Sequence, residues 1–240
     1  MNYKRITLLS GHYGSGKTNI AVNMATEIAR QAAAEQAGAD AQAGAAQAAP
    51  DKSLCMLADL DIVNPYFRSA DSEEMLSLLG VELIVSPFAN TNLDVPALPQ
   101  EMYKIVDDKS RKAIIDVGGD ERGALALGRI SDGIREEGDY DMFLVINKYR
   151  PLTPDADSVA EIAAEIEEAG HLAFTGIINC SNLGAETDAD TVLSSVAFAQ
   201  EVSKKLGLPI VATAVEAELY EELKGKIEDL FPLNLQIRPV

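Results

Sequence analysis

Short apolar runs alternating with longer helical patterns constrain the fold of this 240-residue chain more than any other feature. The runs occupy residues 5–10, 53–58, 82–85, 113–117, 142–147, 176–179 and 210–214. Most are rich in Ile, Val or Leu and do not alternate strictly with polar residues, the pattern of strands covered by helices on both faces. Between them, Val159, Ile162, Ile166 and Ala169 fall on one helix face, with Gly170 as the expected stop. Val192, Val196, Ala199 and Leu206 make a second stripe, and Lys204 and Lys205 close it before Gly207 and Pro209. Cations in a last turn suit the negative end of the helix dipole. The pattern predicts an α/β chain with a mostly parallel sheet and helices on both faces. Its length suits one large domain, residues 1–240. Residues 31–50 break the rhythm with eleven alanines and no large apolar side chain. That stretch reads as a helix extension fraying into a mobile insertion, because Gly38 and Gly44 interrupt an otherwise helical composition.

Directly after the first run stands Gly11-His12-Tyr13-Gly14-Ser15-Gly16-Lys17-Thr18. It fits G-x-x-x-x-G-K-[ST] with a predicted strand before it and a predicted helix after it, the context that gives the pattern meaning. Glycines let main-chain N–H groups curl around a phosphate without a Cβ in the way. The helix beginning near Lys17 adds the positive end of its dipole. Lys17 is expected to meet the β- and γ-phosphates, and the Thr18 hydroxyl a magnesium ion. The expected nucleotide contacts are Gly11, Tyr13, Gly14, Ser15, Gly16, Lys17, Thr18 and the adjacent Asn19.

Two strand-like runs end in carboxylates: Ala58-Asp59-Leu60-Asp61, and Ile115-Asp116-Val117-Gly118-Gly119-Asp120. Carboxyl ends of parallel strands face the ligand crevice. Asp116 is expected to serve the metal and the catalytic step, with Gly118 and Gly119 leaving room for a γ-phosphate. Asp59 is assigned to the magnesium shell and Asp61 to the attacking water; the two point the same way only if the strand runs on through both.

The formal net charge of −18 argues against nucleic acid and anionic membranes as partners, since both need a basic footprint. Cys55 and Cys180 each lie at or near a strand-like run and read as small buried hydrophobes. The first residues are too short and too polar for a signal segment, and no stretch approaches a membrane span, so a cytoplasmic protein is expected.

These segments together resemble the ParA/MinD group of P-loop ATPases, with CobQ/CobB-type proteins nearby. The resemblance rests on Gly11–Thr18, LADLDIVN at 57–64, LIVSPFANTNLDVPAL at 83–98, IIDVGGD at 114–120 and GIINC at 176–180. It implies a P-loop NTPase fold, ATP and Mg²⁺ as ligands, and an adenine contact from Asn179, whose amide can pair in two directions. It also implies an ATP-dependent homodimer in which an early-loop lysine reaches the partner's nucleotide. Here His12 and Tyr13 stand where that Lys-Gly would be, so the lysine is missing. His12 would substitute only when protonated, and it more readily packs or bonds locally. Arg122 is another cation near the second acidic strand end, read first as a solvated residue at a helix start. MinD-like members carry a basic amphipathic membrane helix at this end; Pro232 and Pro239 disfavour a helix across the last ten residues here, so membrane targeting is not expected.

The expected function is a slow ATP-hydrolysing switch acting on a protein partner. Tyr66, Phe67 and Arg68 are interface-type residues in the segment after Asp61, and they read equally as core. The alternative is a CobQ/CobB-like ligase or kinase, although no separate acceptor domain and no Ser/His/Asp or Cys/His set is visible. A regulator that binds nucleotide without hydrolysing it is a third reading.

Overall fold

The computed structural model describes residues 2–43, 54–60, 73–85, 100–119 and 121–235. Asp61, Asp120, residues 64–69, and most of the 83–98 segment lie outside the described residues, as does the Arg122 side chain. Among the described residues the strands are β1 (Ile6–Ser10), β2 (Cys55–Leu60), β3 (Val81–Val85), β4 (Lys112–Val117), β5 (Tyr140–Ile146), β6 (Gly176–Asn179), β7 (Ile210–Glu216) and β8 (Leu230–Leu233). They form one eight-stranded sheet in the order β3-β2-β4-β1-β5-β6-β7-β8, and each neighbouring pair runs parallel. The early strands step outward on one side of β1 and the later ones on the other. β1 therefore lies at the switch in strand order, and its carboxyl end opens into the crevice such sheets use for ligands.

The central strands β1, β2, β4 and β6 bury both faces, which is why their runs read as continuous apolar segments. Ile6, Leu8, Met56, Ala58, Ala113 and Ile115 face one core. That core is covered by α4 (Glu121–Gly128), α5 (Ser131–Glu137), α6 (Ala156–Gly170) and α7 (Ala189–Leu206). Leu9, Leu57, Ile114 and Val145 face a second core with Ile20, Met24 and Ile28 of α1 (Lys17–Ala43). Both cysteines are buried as small hydrophobes in this second core. No helix among the described residues is long and apolar enough to cross a membrane.

Two local details differ from the sequence expectation. α6 ends with Gly170 as its last helical residue, and the left-handed cap at φ 56° falls on His171 rather than on the glycine. Gly170 packs closely there, since a Cβ would stand 3.1 Å from Leu127 Cδ2. The alanine-rich stretch continues α1 as helix to Ala43, the expected helix extension, and residues 44–50, where the mobile insertion was expected, lie outside the described residues. Finally, residues 230–233 form β8, a strand the apolar runs did not reveal. Pro232 has no N–H to offer a ladder, and it is tolerated because β8 is the edge of the sheet.

Candidate functional site

The connection between β1 and α1 is shaped by close approach. Gly11 has φ 145°, and a Cβ on it would lie 2.3 Å from the Val145 carbonyl oxygen of β5. Gly16 has φ 98°, and a Cβ on it would lie 2.6 Å from Cys180 Sγ. Both positions demand glycine. The Ser15 N–H donates to the His12 carbonyl at 3.1 Å, which closes the turn just before α1 begins. The first-turn amides of a helix have no partner within the helix, so they point out of its end as anion donors.

Lys17 folds back over this turn. Its Nζ donates to the Gly11 carbonyl at 2.9 Å and to the His12 carbonyl at 3.3 Å, and the residue is only 4% exposed. An ammonium group buried to this degree needs compensating polar contacts, and here the loop supplies carbonyls only. Among the described residues, Ser10 Oγ, Ser15 Oγ and Asn19 Oδ1 are enclosed without a hydrogen-bond partner. Enclosed polar atoms of this kind are stabilised once water or a ligand supplies the missing partner, and all three stand in or beside the loop.

The acidic strand ends meet the loop from the sheet. Asp59 and Asp116 are register partners on β2 and β4. Their neighbours Ala58, Leu60, Ile115 and Val117 face the opposite core, so alternation turns both carboxylates toward α1. Asp116 is fully buried, and its Oδ2 accepts from the Thr18 hydroxyl at 2.5 Å. Asp59 is buried beside it. The donors are hydroxyl and carboxylate oxygens, the set a hard cation such as Mg²⁺ takes, and a small number of protein oxygens beside phosphate oxygens is its usual arrangement.

Beside the loop opens a groove of about 710 Å³. Tyr13, Gly14, Gly16, Lys17, Thr18 and Asn19 line its loop side. Val192, Ala214, Val215 and Leu233 give it apolar surface, and Glu216 stands at its edge. Burial, with the neighbouring Glu218, raises the Glu216 carboxyl above its ordinary range. A concave apolar slot continuous with a polar cradle has the form of a nucleotide-sized site.

Gly11, Ser15 and the rest of the cradle therefore stand together as expected, with Thr18, Asp59 and Asp116 gathered at its floor. Asn179 does not open into the groove. It is fully buried; its Nδ2 donates to Ser195 Oγ at 2.8 Å, and its Oδ1 accepts from Ser181 Oγ at 2.7 Å and Ser181 N at 3.2 Å. The connection after β6 lines the groove instead, beginning with Cys180, Ser181 and Asn182. His12 is bonded locally, its Nδ1 lying 3.0 Å from the Tyr13 carbonyl. Partial burial lowers its pKa; the Tyr13 carbonyl opposes the shift, while Lys17 and Arg150 add to it. That direction favours the neutral imidazole over the cation. Sequence reasoning missed Arg150, whose Nε donates to the Gly14 carbonyl at 2.7 Å. No sequence signal marks it, because its partner lies 136 residues away.

No protein-family model matches this chain, and no curated protein does. Among solved structures it is similar to FtsY from Mycoplasma mycoides at 17% identity and a TM-score of 0.55, over 89% of this chain and 60% of that one. It is similar to the cell division protein FtsY from Thermotoga maritima at 18% identity and a TM-score of 0.51, over 88% and 61% of the two chains. Chloroplast FtsY from Physcomitrella patens gives 14% identity and a TM-score of 0.51, over 89% and 59%. The chain thus spans about three fifths of the length of these structures. At such identity the likeness bears on fold and does not single out the ParA/MinD group. With its all-parallel sheet and the glycine loop at the switch point, the chain has the α/β fold of the P-loop nucleoside triphosphatases.

Proposed function

We propose that this chain is a Mg²⁺-dependent ATPase of slow turnover that works as a nucleotide-operated switch on a protein partner in the cytoplasm. The observation that carries the reading is the buried Lys17 ammonium over the Gly11–Gly16 turn, with Thr18 hydrogen-bonded to Asp116 beneath it. Main-chain amides of the turn and Lys17 would hold the β- and γ-phosphates. Thr18 and Asp116 would hold the cation's shell, with Asp59 adjacent; Mg²⁺ supplies charge neutralisation at the transferring phosphoryl group. Asp61 is assigned to orienting the attacking water. The adenine would take the apolar slot by Val192, Ala214 and Val215. Asn179 would act through Ser181, since its own amide is already engaged.

The switch would work through the segments after Asp59 and Asp116. A γ-phosphate attracts nearby amides and carboxylate-held metal, and hydrolysis releases them. The net charge of −18 fits a protein partner better than nucleic acid or an anionic membrane.

A second reading, guanine in place of adenine, is favoured by Glu216. A carboxylate can accept from both the ring N–H and the amino group of guanine, whereas adenine offers its amino group alone. Steady-state phosphate release by the full chain with Mg·ATP and Mg·GTP, without any acceptor, separates the possibilities. The proposal expects slow release with ATP and a higher kcat/KM than with GTP. The reverse preference would establish the second reading. A strict requirement for a carboxylate or amine co-substrate would instead establish a ligase.

A further inference from the structure

Lys17 is the only cation of the G-x-x-x-x-G-K-[ST] segment itself, yet a second one is built against it from the far half of the sheet. Arg150 lies in the turn after β5. Its Nε donates to the Gly14 carbonyl at 2.7 Å, and its Cζ lies 3.0 Å from the point a Gly14 Cβ would occupy. The guanidinium therefore rests close against the loop, where a side chain at residue 14 would crowd it. It lines the same groove as Lys17 and Thr18. Among the described residues its two terminal nitrogens make no hydrogen bond, so four N–H donors remain unused at the mouth of a phosphate cradle.

The turn that carries Arg150 is held from several directions. The Asn147 side-chain oxygen accepts from Tyr149 N at 3.0 Å, and the Asn147 carbonyl accepts from Arg150 N at 3.2 Å. The Tyr149 hydroxyl donates to the Thr191 carbonyl at 2.7 Å, and Lys148 Nζ donates to the Ser194 carbonyl at 2.8 Å, both on α7. Lys148 N donates to Ser181 Oγ at 2.9 Å, and Ser181 is the hydroxyl that Asn179 holds. An arginine on a turn tied down in this way is placed before any ligand arrives, which lowers the ordering cost of a charge-assisted contact.

We propose that Arg150 contacts the phosphate chain of the bound nucleotide, so that one chain supplies both cations of the site without a second copy. The inference rests on the nucleotide reading above and deepens it. A guanidinium presents paired N–H groups that match phosphate oxygens; Nε is already committed to Gly14, which leaves the two terminal nitrogens of this groove-lining residue for a ligand.

The test uses the full chain with a fluorescent ATP analogue, the matching ADP analogue and unmodified adenosine as competitor. Arg150→Ala is expected to weaken ATP binding about ten- to a hundredfold while adenosine competition changes less than about twofold. Arg150→Lys should recover part of the loss, and millimolar guanidinium should restore binding to Arg150→Ala; a merely structural role would produce neither effect. Arg129→Ala, which removes an exposed charge away from the groove, serves as the control for net charge. If Arg150→Ala binds ATP as wild type does while Lys17→Ala does not, the Arg150 assignment is wrong and the cradle reading stands. If ATP and adenosine weaken equally with no guanidinium rescue, Arg150 only braces the loop and the proposal fails. If the wild-type chain binds no nucleotide, both readings fail together.

Discussion

Gly119→Ala is the sharpest probe of how the end of β4 meets the phosphate loop. A Cβ on Gly119 would stand 2.1 Å from the Gly11 carbonyl oxygen and 3.0 Å from the His12 carbonyl carbon. Real Cβ atoms keep at least 3.0 Å from such neighbours, so about 0.9 Å of extra separation must be found between two stretches of backbone. No flexible side chain can absorb it. Overpacking of this kind costs about 1–3 kcal/mol. At about 2–4 °C per kcal/mol for a chain of this size, the melting temperature should fall by about 2–12 °C. Displacing a cradle by nearly an ångström should also cost up to about a hundredfold in turnover. The assay is thermal unfolding with and without Mg·ATP. Gly133→Ala is the comparison: its added methyl would come within 2.4 Å of Val106 Cγ1, a side chain remote from the loop. Gly133→Ala should lose stability and keep its ATP-induced shift, whereas Gly119→Ala should lose both. A Gly119→Ala protein that melts within about 1 °C of wild type and keeps the full shift would show that this contact does not exist.

Three further outcomes follow from the same structure. Arg5 is buried, paired with the nearly buried Glu137, and its Nη2 donates to the Ile105 carbonyl at 2.8 Å. Arg5→Ala leaves that carboxylate and carbonyl without a cation and should cost about 3–5 kcal/mol in chemical denaturation, while bound-state turnover stays at the wild-type rate because the pair lies beside the amino end of β1. Burial pushes both Cys55 and Cys180 up to about 12. Neither should react with Ellman's reagent at neutral pH until denaturant is added; rapid labelling of the native protein would contradict the packing of Cys180 against Gly16. The His12 pKa lies below its ordinary value of 6.5, so the unfolded state takes up that proton first as pH falls. Stability should therefore drop as pH descends through and below 6.5. His12→Asn should flatten that part of a melting-temperature profile; an unchanged slope would reject the assignment.

The parts legible in the sequence were those whose signal is local. Gly11, Gly16, Lys17 and Thr18 sit within eight residues, and each is dictated by the same phosphate-sized turn. Asp59 and Asp116 were legible as strand ends because an unbroken apolar run stops at each. β8 was not, since Pro232 suppresses a strand reading and only the free edge beyond β7 makes it tolerable. The left-handed cap falls on His171, one residue past Gly170, and a histidine carries none of the glycine signal that marks such a cap in a sequence. Arg150 carries no pattern of its own: its meaning depends on β5 lying beside β1, a fact of topology. Asn179 was located at the right strand end, but its engagement by Ser181 and Ser195 depends on how α7 packs.

The central claim is that the turn at Gly11–Thr18 holds a triphosphate, and calorimetric titration of the full chain with Mg·ATP addresses it most directly. Wild type should show saturable binding at one site per chain, and Lys17→Ala, folded to the same melting temperature, should lose about a hundredfold or more of that affinity. Absence of saturable heat in wild type, or equal affinity in Lys17→Ala, would contradict it.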